Sequence, residues 1–276
     1  LFVEKYRRKN LKNIGIIGFG FVGRAIAHGF SLHANVRAYD KYEDGTHSLK
    51  DTVEGSEFIF VCVPTPADES GEQDPTILCD AVVSVMNNAD TRKTIILKST
   101  IVPGTTRTLA ELYPKHDFVF NPEFLTQRAS KLEFINASRI VIGGETADAE
   151  AVSRVESLYR DRFTQTPIHK TTWEGAELVK YMSNCFFSMK ISFLNEMYDI
   201  AQELGVDFES LRNMWIADYR IGNSHIDVPG HDGKRGYGGK CFPKDVKAFI
   251  HWAEKKSLHA DMCKTADSVN ERVRRD

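Results

Sequence analysis

An α/β fold, with a doubly wound parallel sheet followed by an α-helical domain, is what the sequence predicts. Three observations carry this: short apolar runs alternating with helix-compatible segments, a glycine-rich turn after the first run, and a long proline-free stretch in the second half. Residues 13–17 form the first apolar run, and Gly18 ends it. Gly18-Phe19-Gly20-Phe21-Val22-Gly23 follows, and residues 24–32 have helical character. Residues 36–39 read as a second strand closed by Asp40, and residues 58–63 as a third stopped by Pro64. Residues 94–97, 118–120 and 139–142 supply the fourth, fifth and sixth, each separated by segments long enough for a helix. Near Pro167 the character changes. From Trp173 to about Leu204 there is no proline, and Leu178, Tyr181, Met182, Cys185 and Met189 recur at helical spacing. The expected division is a sheet domain over residues 1–170 and a helical domain over 171–276.

Composition bounds the function. A chain of 276 residues builds one large core or two ordinary ones. With 42% hydrophobic and 27% charged residues it reads as a soluble globular protein. The net charge of −2 provides no global basic field for nucleic acid. No apolar run nears the roughly 20 residues that cross a bilayer. Residues 1–10 are charged and lack an apolar h-region, so they read as no secretory signal. The chain begins at Leu1 rather than Met, so a few preceding residues are expected to be missing. The five cysteines, Cys62, Cys79, Cys185, Cys241 and Cys263, are odd in number and contain no C-x-x-C pair. Neither a disulfide framework nor a zinc site is indicated, and a reducing, cytoplasmic setting with a single reactive thiol fits.

The G-x-G-x-x-G string is weak alone, but here a strand precedes it, a helix follows, and Asp40 ends the next strand 22 residues after Gly18. Gly18 permits the tight turn, Gly20 lets backbone approach a pyrophosphate, and Gly23 allows close helix–strand packing. Phe21 and Val22 open the helix whose N–H groups and dipole would face the phosphates. The Asp40 carboxylate would accept ribose hydroxyls and repel a 2′-phosphate, so NAD is favoured over NADP, with Lys41 softening the preference. Pro64, Thr65 and Thr100 fall at the carboxyl ends of the third and fourth strands, where open α/β sheets bind ligands. Ordinary turn chemistry also accounts for the two threonines.

The most informative stretch is Gly236-Tyr237-Gly238-Gly239-Lys240-Cys241-Phe242-Pro243-Lys244-Asp245. Its glycines form a loop able to wrap a ligand, and Pro243 suits the first turn of a helix. Cys241 would then stand near a helix N-terminus between two lysines, both of which favour thiolate. Asp245 lies four residues on, on the same helical face. The plainer reading is a buried cysteine acting as a small hydrophobe.

Here the sequence resembles the UDP-glucose and GDP-mannose dehydrogenases. The G-Y-G-G-x-C-F-P-K-D string looks like their catalytic-cysteine motif, and Phe242 resembles the UDP-glucose branch. The glycine fingerprint, Lys98-Ser99-Thr100, Asn121-Pro122-Glu123-Phe124-Leu125, the helix with Lys180 and Asn184, and Tyr219-Arg220-Ile221-Gly222 match in the expected order. The resemblance implies a Rossmann-type domain that binds NAD rather than FAD. It implies a four-electron oxidation of a UDP-sugar's C6 alcohol for polysaccharide synthesis, and a homodimer through the central helices. It assigns catalysis to Cys241, Lys180, Asn184, Asp245, Glu123 and Thr100. Glu123, Phe124, Leu125, Lys180, Asn184, Arg220, Tyr237, Gly238 and Gly239 would bind substrate. Taken singly, Lys180, Asn184 and Glu123 also read as ordinary surface or turn residues.

Two departures stand out. The resemblance calls for a second Glu four residues after Glu123, where this chain has Gln127, which cannot carry charge or act as a base. Family members also continue into a third, α/β domain, whereas this chain stops at Asp276. A compact form, one half of a split enzyme and a fragment are the three expectations that follow. A GDP-mannose-type enzyme, a 3-hydroxyacid-type dehydrogenase and a cofactor-binding subunit needing a partner are the competing readings.

Overall fold

A computed structural model describes residues 11–274. The charged opening segment, residues 1–10, read above as no secretory signal, lies outside the described residues, as do Arg275 and Asp276. The chain divides into two units. One comprises the described residues up to Pro66 with Asp74–Lys180, the other Ala67–Gln73 with the residues from Tyr181 onward.

The first unit holds seven strands: β1 (Lys12–Ile17), β2 (Ala34–Tyr39), β3 (Phe58–Val61), β4 (Thr94–Leu97), β5 (Asp117–Phe120), β6 (Ile140–Gly144) and β7 (Ile168–Thr172). They lie in the order β2-β1-β3-β4-β5-β6-β7. β2, β1, β3, β4 and β5 run parallel to one another. β6 pairs antiparallel with β5 through Phe120 and Gly143, and β7 is parallel to β6. The doubly wound parallel sheet expected from the sequence is present, with one antiparallel junction between β5 and β6. The β5–β6 connection contains only the six-residue α5 (Ser130–Ile135) and does not return the chain to the far edge, so β6 enters from the carboxyl end of β5.

The central strands β3 and β4 read as unbroken apolar runs because both sheet faces are covered there. Along β3, Phe58 and Phe60 enter one core while Ile59 and Val61 enter the other. The first core is completed by α1 (Phe21–Phe30), α5 and α6 (Glu150–Arg160), with Phe30 in edge contact with Tyr159 and Phe163. The second is completed by α2 (Leu49–Glu54), α3 (Thr76–Asn87), α4 (Thr105–Leu112) and the start of α7 (Trp173–Glu203).

α7 is the long helix the proline-free stretch predicts. In the second unit it is followed by α8 (Phe208–Ile216), α9 (Phe242–Lys255) and α10 (Asp261–Val273). One core joins Cys185, Tyr237, Val246, Ala253 and Cys263, and another joins Leu194, Ala201, Phe208 and Ile226. Along α7, Met182, Phe186, Phe193 and Ile200 remain exposed. Among the described residues no helix is long and apolar enough to cross a membrane.

Candidate active site

The glycine fingerprint forms the turn between β1 and α1. Gly18 adopts φ +92°, and a Cβ there would meet the Cys62 carbonyl at 2.7 Å. A Cβ on Gly23 would stand 2.2 Å from the Gly18 carbonyl, so the helix lies against the turn. Gly20 has open space where a Cβ would be, and no side chain caps α1. Its first N–H groups are therefore available to an anion. The Asp40 carboxylate accepts from Phe19 N–H at 2.6 Å and from Tyr42 N–H at 2.9 Å, which fixes it beside the glycine turn. Its remaining lone pairs can take ribose hydroxyls. These residues fit a dinucleotide.

The loops after β3 and β4 clamp each other. The Thr65 hydroxyl donates to the Thr100 carbonyl at 2.7 Å, and Ser99 donates to the Val63 carbonyl at 2.7 Å. Pro64 is exposed and Thr65 buried. Sequence reasoning missed the group that anchors the end of this second loop. The buried Glu177 of α7 accepts from Gly104 N–H at 2.7 Å, Thr106 N–H at 2.9 Å and the Thr106 hydroxyl at 2.6 Å, capping α4 from another helix. Burial pushes its carboxyl up to about 7, against the pull of those three donors.

After β5, Asn121 turns inward. Its amide donates to the Val141 carbonyl at 2.6 Å, while its oxygen accepts from Tyr159 and from Lys98 Nζ at 2.9 Å. Lys98 also donates to the Pro122 carbonyl at 3.2 Å. Burial drives the Lys98 pKa down to about 8 and the neighbouring Cys62 thiol up to about 12. The unfolded chain keeps the Lys98 proton up to 10.5 whereas the fold sheds it near 8, so folding stability rises with pH across that window. Between about pH 7.5 and 9.5 the parent is expected to gain about 2 kcal/mol relative to Lys98→Met in urea unfolding.

Glu123 follows directly. Its Oε1 pairs with Lys180 Nζ at 2.9 Å and its Oε2 accepts from Leu125 N–H at 2.6 Å, with both side chains of the pair buried. Burial raises the Glu123 pKa, but the Lys180 ammonium and the Leu125 donor outweigh it, and the net is below the usual value. Phe124 lies under Lys180 and Arg139, 5.8 and 4.2 Å from its ring centre. A cavity of about 450 Å³ is lined in part by Lys98, Asn121, Glu123, Phe124, Leu125 and Arg139. Gln127 is exposed.

In the second unit Cys241 stands exposed at the N-terminus of α9, and its carbonyl accepts from Asp245 N–H at 2.8 Å. Asp245 is buried. It takes a hydrogen bond from Asn184 Nδ2 at 2.6 Å and an ion pair from Lys244 Nζ at 2.6 Å. Lys244 is thus held by Asp245. The Tyr237 ring is buried with its hydroxyl on Asp267 at 2.8 Å, leaving backbone as what it offers a ligand. Gly238 and Gly239 line a cavity of about 320 Å³ with Lys247 and Arg274. Arg220 is exposed and paired with Asp218.

Comparison with known proteins gives concordant results. The model of the NAD binding domain of the UDP-glucose/GDP-mannose dehydrogenase family matches residues 28–163, and the model of that family's central domain matches residues 174–272. A UDP-glucose 6-dehydrogenase of Rhizobium meliloti (strain 1021) is 33% identical over 238 residues, covering 83% of this chain and 53% of that protein. The chain spans about half the length of several of the curated relatives it matches. The solved structure of a UDP-glucose dehydrogenase from the archaeon Pyrobaculum islandicum aligns with TM-score 0.83 at 30% identity, over 96% of this chain and 69% of that one. A Mycobacterium tuberculosis 3-hydroxyisobutyrate dehydrogenase, 15% identical with TM-score 0.75 over 95% of this chain and 93% of its own, shares the fold alone.

Proposed function

Because the chain belongs to the UDP-glucose/GDP-mannose dehydrogenase family, we propose that it carries out the NAD-dependent, four-electron oxidation of UDP-glucose at C6, making UDP-glucuronate through a Cys241 thioester. The single observation that carries this reading is Cys241 exposed at a helix N-terminus, one turn before an Asp245 held by Asn184 and Lys244. An exposed thiol one helical turn from a hydrogen-bonded carboxylate is an arrangement suited to nucleophilic catalysis.

NAD, when bound at the fingerprint, supplies the hydride acceptor for both oxidations. The chain's own groups do the rest. Lys180 steadies negative charge on the C6 oxygen as its proton leaves, with Asn184 hydrogen-bonding the same oxygen. The Cys241 sulfur adds to the aldehyde carbon, and the oxygen takes a proton to give a thiohemiacetal. Loss of that proton and of a hydride leaves the thioester. Glu123 acts as base for the water that cleaves it, releasing the carboxylate and restoring the thiol. Thr100 and Asp245 orient water for the proton transfers. The Glu123-Phe124-Leu125 backbone, Tyr237, Gly238, Glu123, Lys180 and Gly239 hold the sugar nucleotide, and Arg220 takes a phosphate.

A reducing, cytoplasmic setting belongs to this reading, since the mechanism needs Cys241 as a thiol. So does a homodimer, which the exposed apolar residues of α7 support. Light scattering should then return twice the 31.2 kDa chain mass. The test of function is NADH formation with UDP-glucose, GDP-mannose and UDP-N-acetylmannosamine in parallel. UDP-glucose is expected to be turned over best, and a preference for either of the others would reassign the substrate. Replacing Asp40 by alanine is expected to weaken NAD binding about tenfold or more by titration, because a charged acceptor for the ribose is lost.

A further inference from the structure

The loop leading to Cys241 is gripped by two buried asparagines from different helices, Asn195 of α7 and Asn270 of α10. Asn195 Oδ1 accepts from Gly236 N–H at 3.2 Å and from Arg235 Nε at 3.1 Å. Asn270 Oδ1 accepts from Tyr237 N–H at 2.7 Å. Two side-chain carbonyls are therefore aimed at successive backbone donors. Gly236 adopts φ +69°, and a Cβ on it would lie 2.3 Å from Asn270 Oδ1, so this turn and the Asn270 carbonyl are fitted to one another.

The grip extends one residue further. A Cβ on Gly238 would meet the Arg274 guanidinium at 2.2 Å, and Arg274 is itself anchored on Asp232 at 2.6 Å. Arg235 is tied to Asp199 at 2.7 Å. At Gly239, by contrast, a Cβ would meet nothing within 4 Å, and Cys241 is exposed. The loop is thus held by side chains as far as Gly238, and Gly239 leaves space beside the exposed Cys241. Burying two amides costs free energy unless their hydrogen bonds are made, and an apolar side chain at either position would fill space without holding the loop.

We propose that Asn270, supported by Asn195, is a positioning residue that sets where the Cys241 thiol is presented; this rests on the reading of Cys241 as the nucleophile. Neither asparagine touches the reacting atoms. Their carbonyls fix the backbone of residues 236 and 237, and through it the path of residues 238–240. A displacement of about 1 Å at a nucleophile can cost about a hundredfold in rate.

The test is the rate at which iodoacetamide alkylates Cys241 in the full chain, followed by peptide mass spectrometry, with the thermal midpoint measured alongside. Asn270→Ala, which removes the acceptor, is expected to slow alkylation of Cys241 about tenfold as the thiol shifts from the helix N-terminus that favours thiolate, with Cys62 and Cys79 unchanged. Asn270→Asp, which keeps an oxygen at the same place, is expected to restore the rate. Asn270→Ser carries the comparison if the alanine variant does not fold. A Cys241 that alkylates at the parent rate in the variant lacking the acceptor, whatever its thermal midpoint, overturns the positioning role. Alkylation needs neither NAD nor sugar, so that outcome is separate from failure of the dehydrogenase reading. A parent Cys241 reacting no faster than a thiol in unfolded chain would overturn the nucleophile reading and this proposal with it.

Discussion

Replacing Cys241 by serine is expected to halt the reaction at the aldehyde, lowering the rate of acid formation by about a thousandfold or more. A serine hydroxyl is far less ionised than a thiol at neutral pH and adds poorly to an aldehyde. On the proposed route the first oxidation does not use the sulfur, so one equivalent of NADH should still form in a single turnover. The fold should be nearly unaffected, since Cys241 is exposed and belongs to no core cluster. Single-turnover NADH absorbance, with an aldehyde-trapping hydrazine present, checks this. Two equivalents from the serine variant would remove Cys241 from the mechanism.

The second large effect is expected at Lys180. Its ammonium and the Glu123 carboxylate form a buried pair at 2.9 Å, and Lys180→Met leaves a buried carboxylate with its main partner gone. Loss of one member of such a pair costs about 3–5 kcal/mol, and urea unfolding at pH 7 should show a loss of that size. Combining Lys180→Met with Glu123→Gln should recover much of it, because no uncompensated charge then remains. The pH dependence has a definite sign. Glu123 is held below its ordinary 4.5 in the fold, so the stability it contributes is complete above that value and is lost as pH falls through its lower folded value. The single Lys180→Met variant should lose this acid-labile portion. Turnover should fall in both variants, but only the single variant should be strongly destabilised.

The strands nearest the centre of the sheet were legible in the sequence for a physical reason. Buried on both faces, β1, β3 and β4 show as unbroken apolar runs, and Pro64 and Gly18 mark where two of them end. β7 was not legible. It is an edge strand, Ile168-His169-Lys170-Thr171-Thr172, with His169, Lys170 and Thr172 exposed and the other two partly buried, so it has no apolar run. Its partner β6 was readable as a strand, but the direction in which it enters the sheet is decided by the path of residues 121–139, which periodicity does not report. The long helix α7 could be read because it lacks proline and keeps its spacing from Trp173 onward.

The site was readable where a motif is contiguous. The glycine turn and the Gly236–Asp245 segment declare themselves by local spacing. The groups that hold these segments come from far away in the chain: Glu177 caps α4 across 71 residues, and Asn195 and Asn270 reach the cysteine loop across 41 and 33. Nothing in the neighbourhood of a lone Glu or Asn marks it for such a role. A buried polar residue on an otherwise apolar helix face is the signal that could have found them.

The central claim, a four-electron oxidation through Cys241, is tested most directly by counting NADH. The purified chain with excess NAD and a limiting, known amount of UDP-glucose should release two NADH for each sugar and leave UDP-glucuronate. One NADH per sugar with accumulated aldehyde, or none from protein that demonstrably binds NAD, would contradict it.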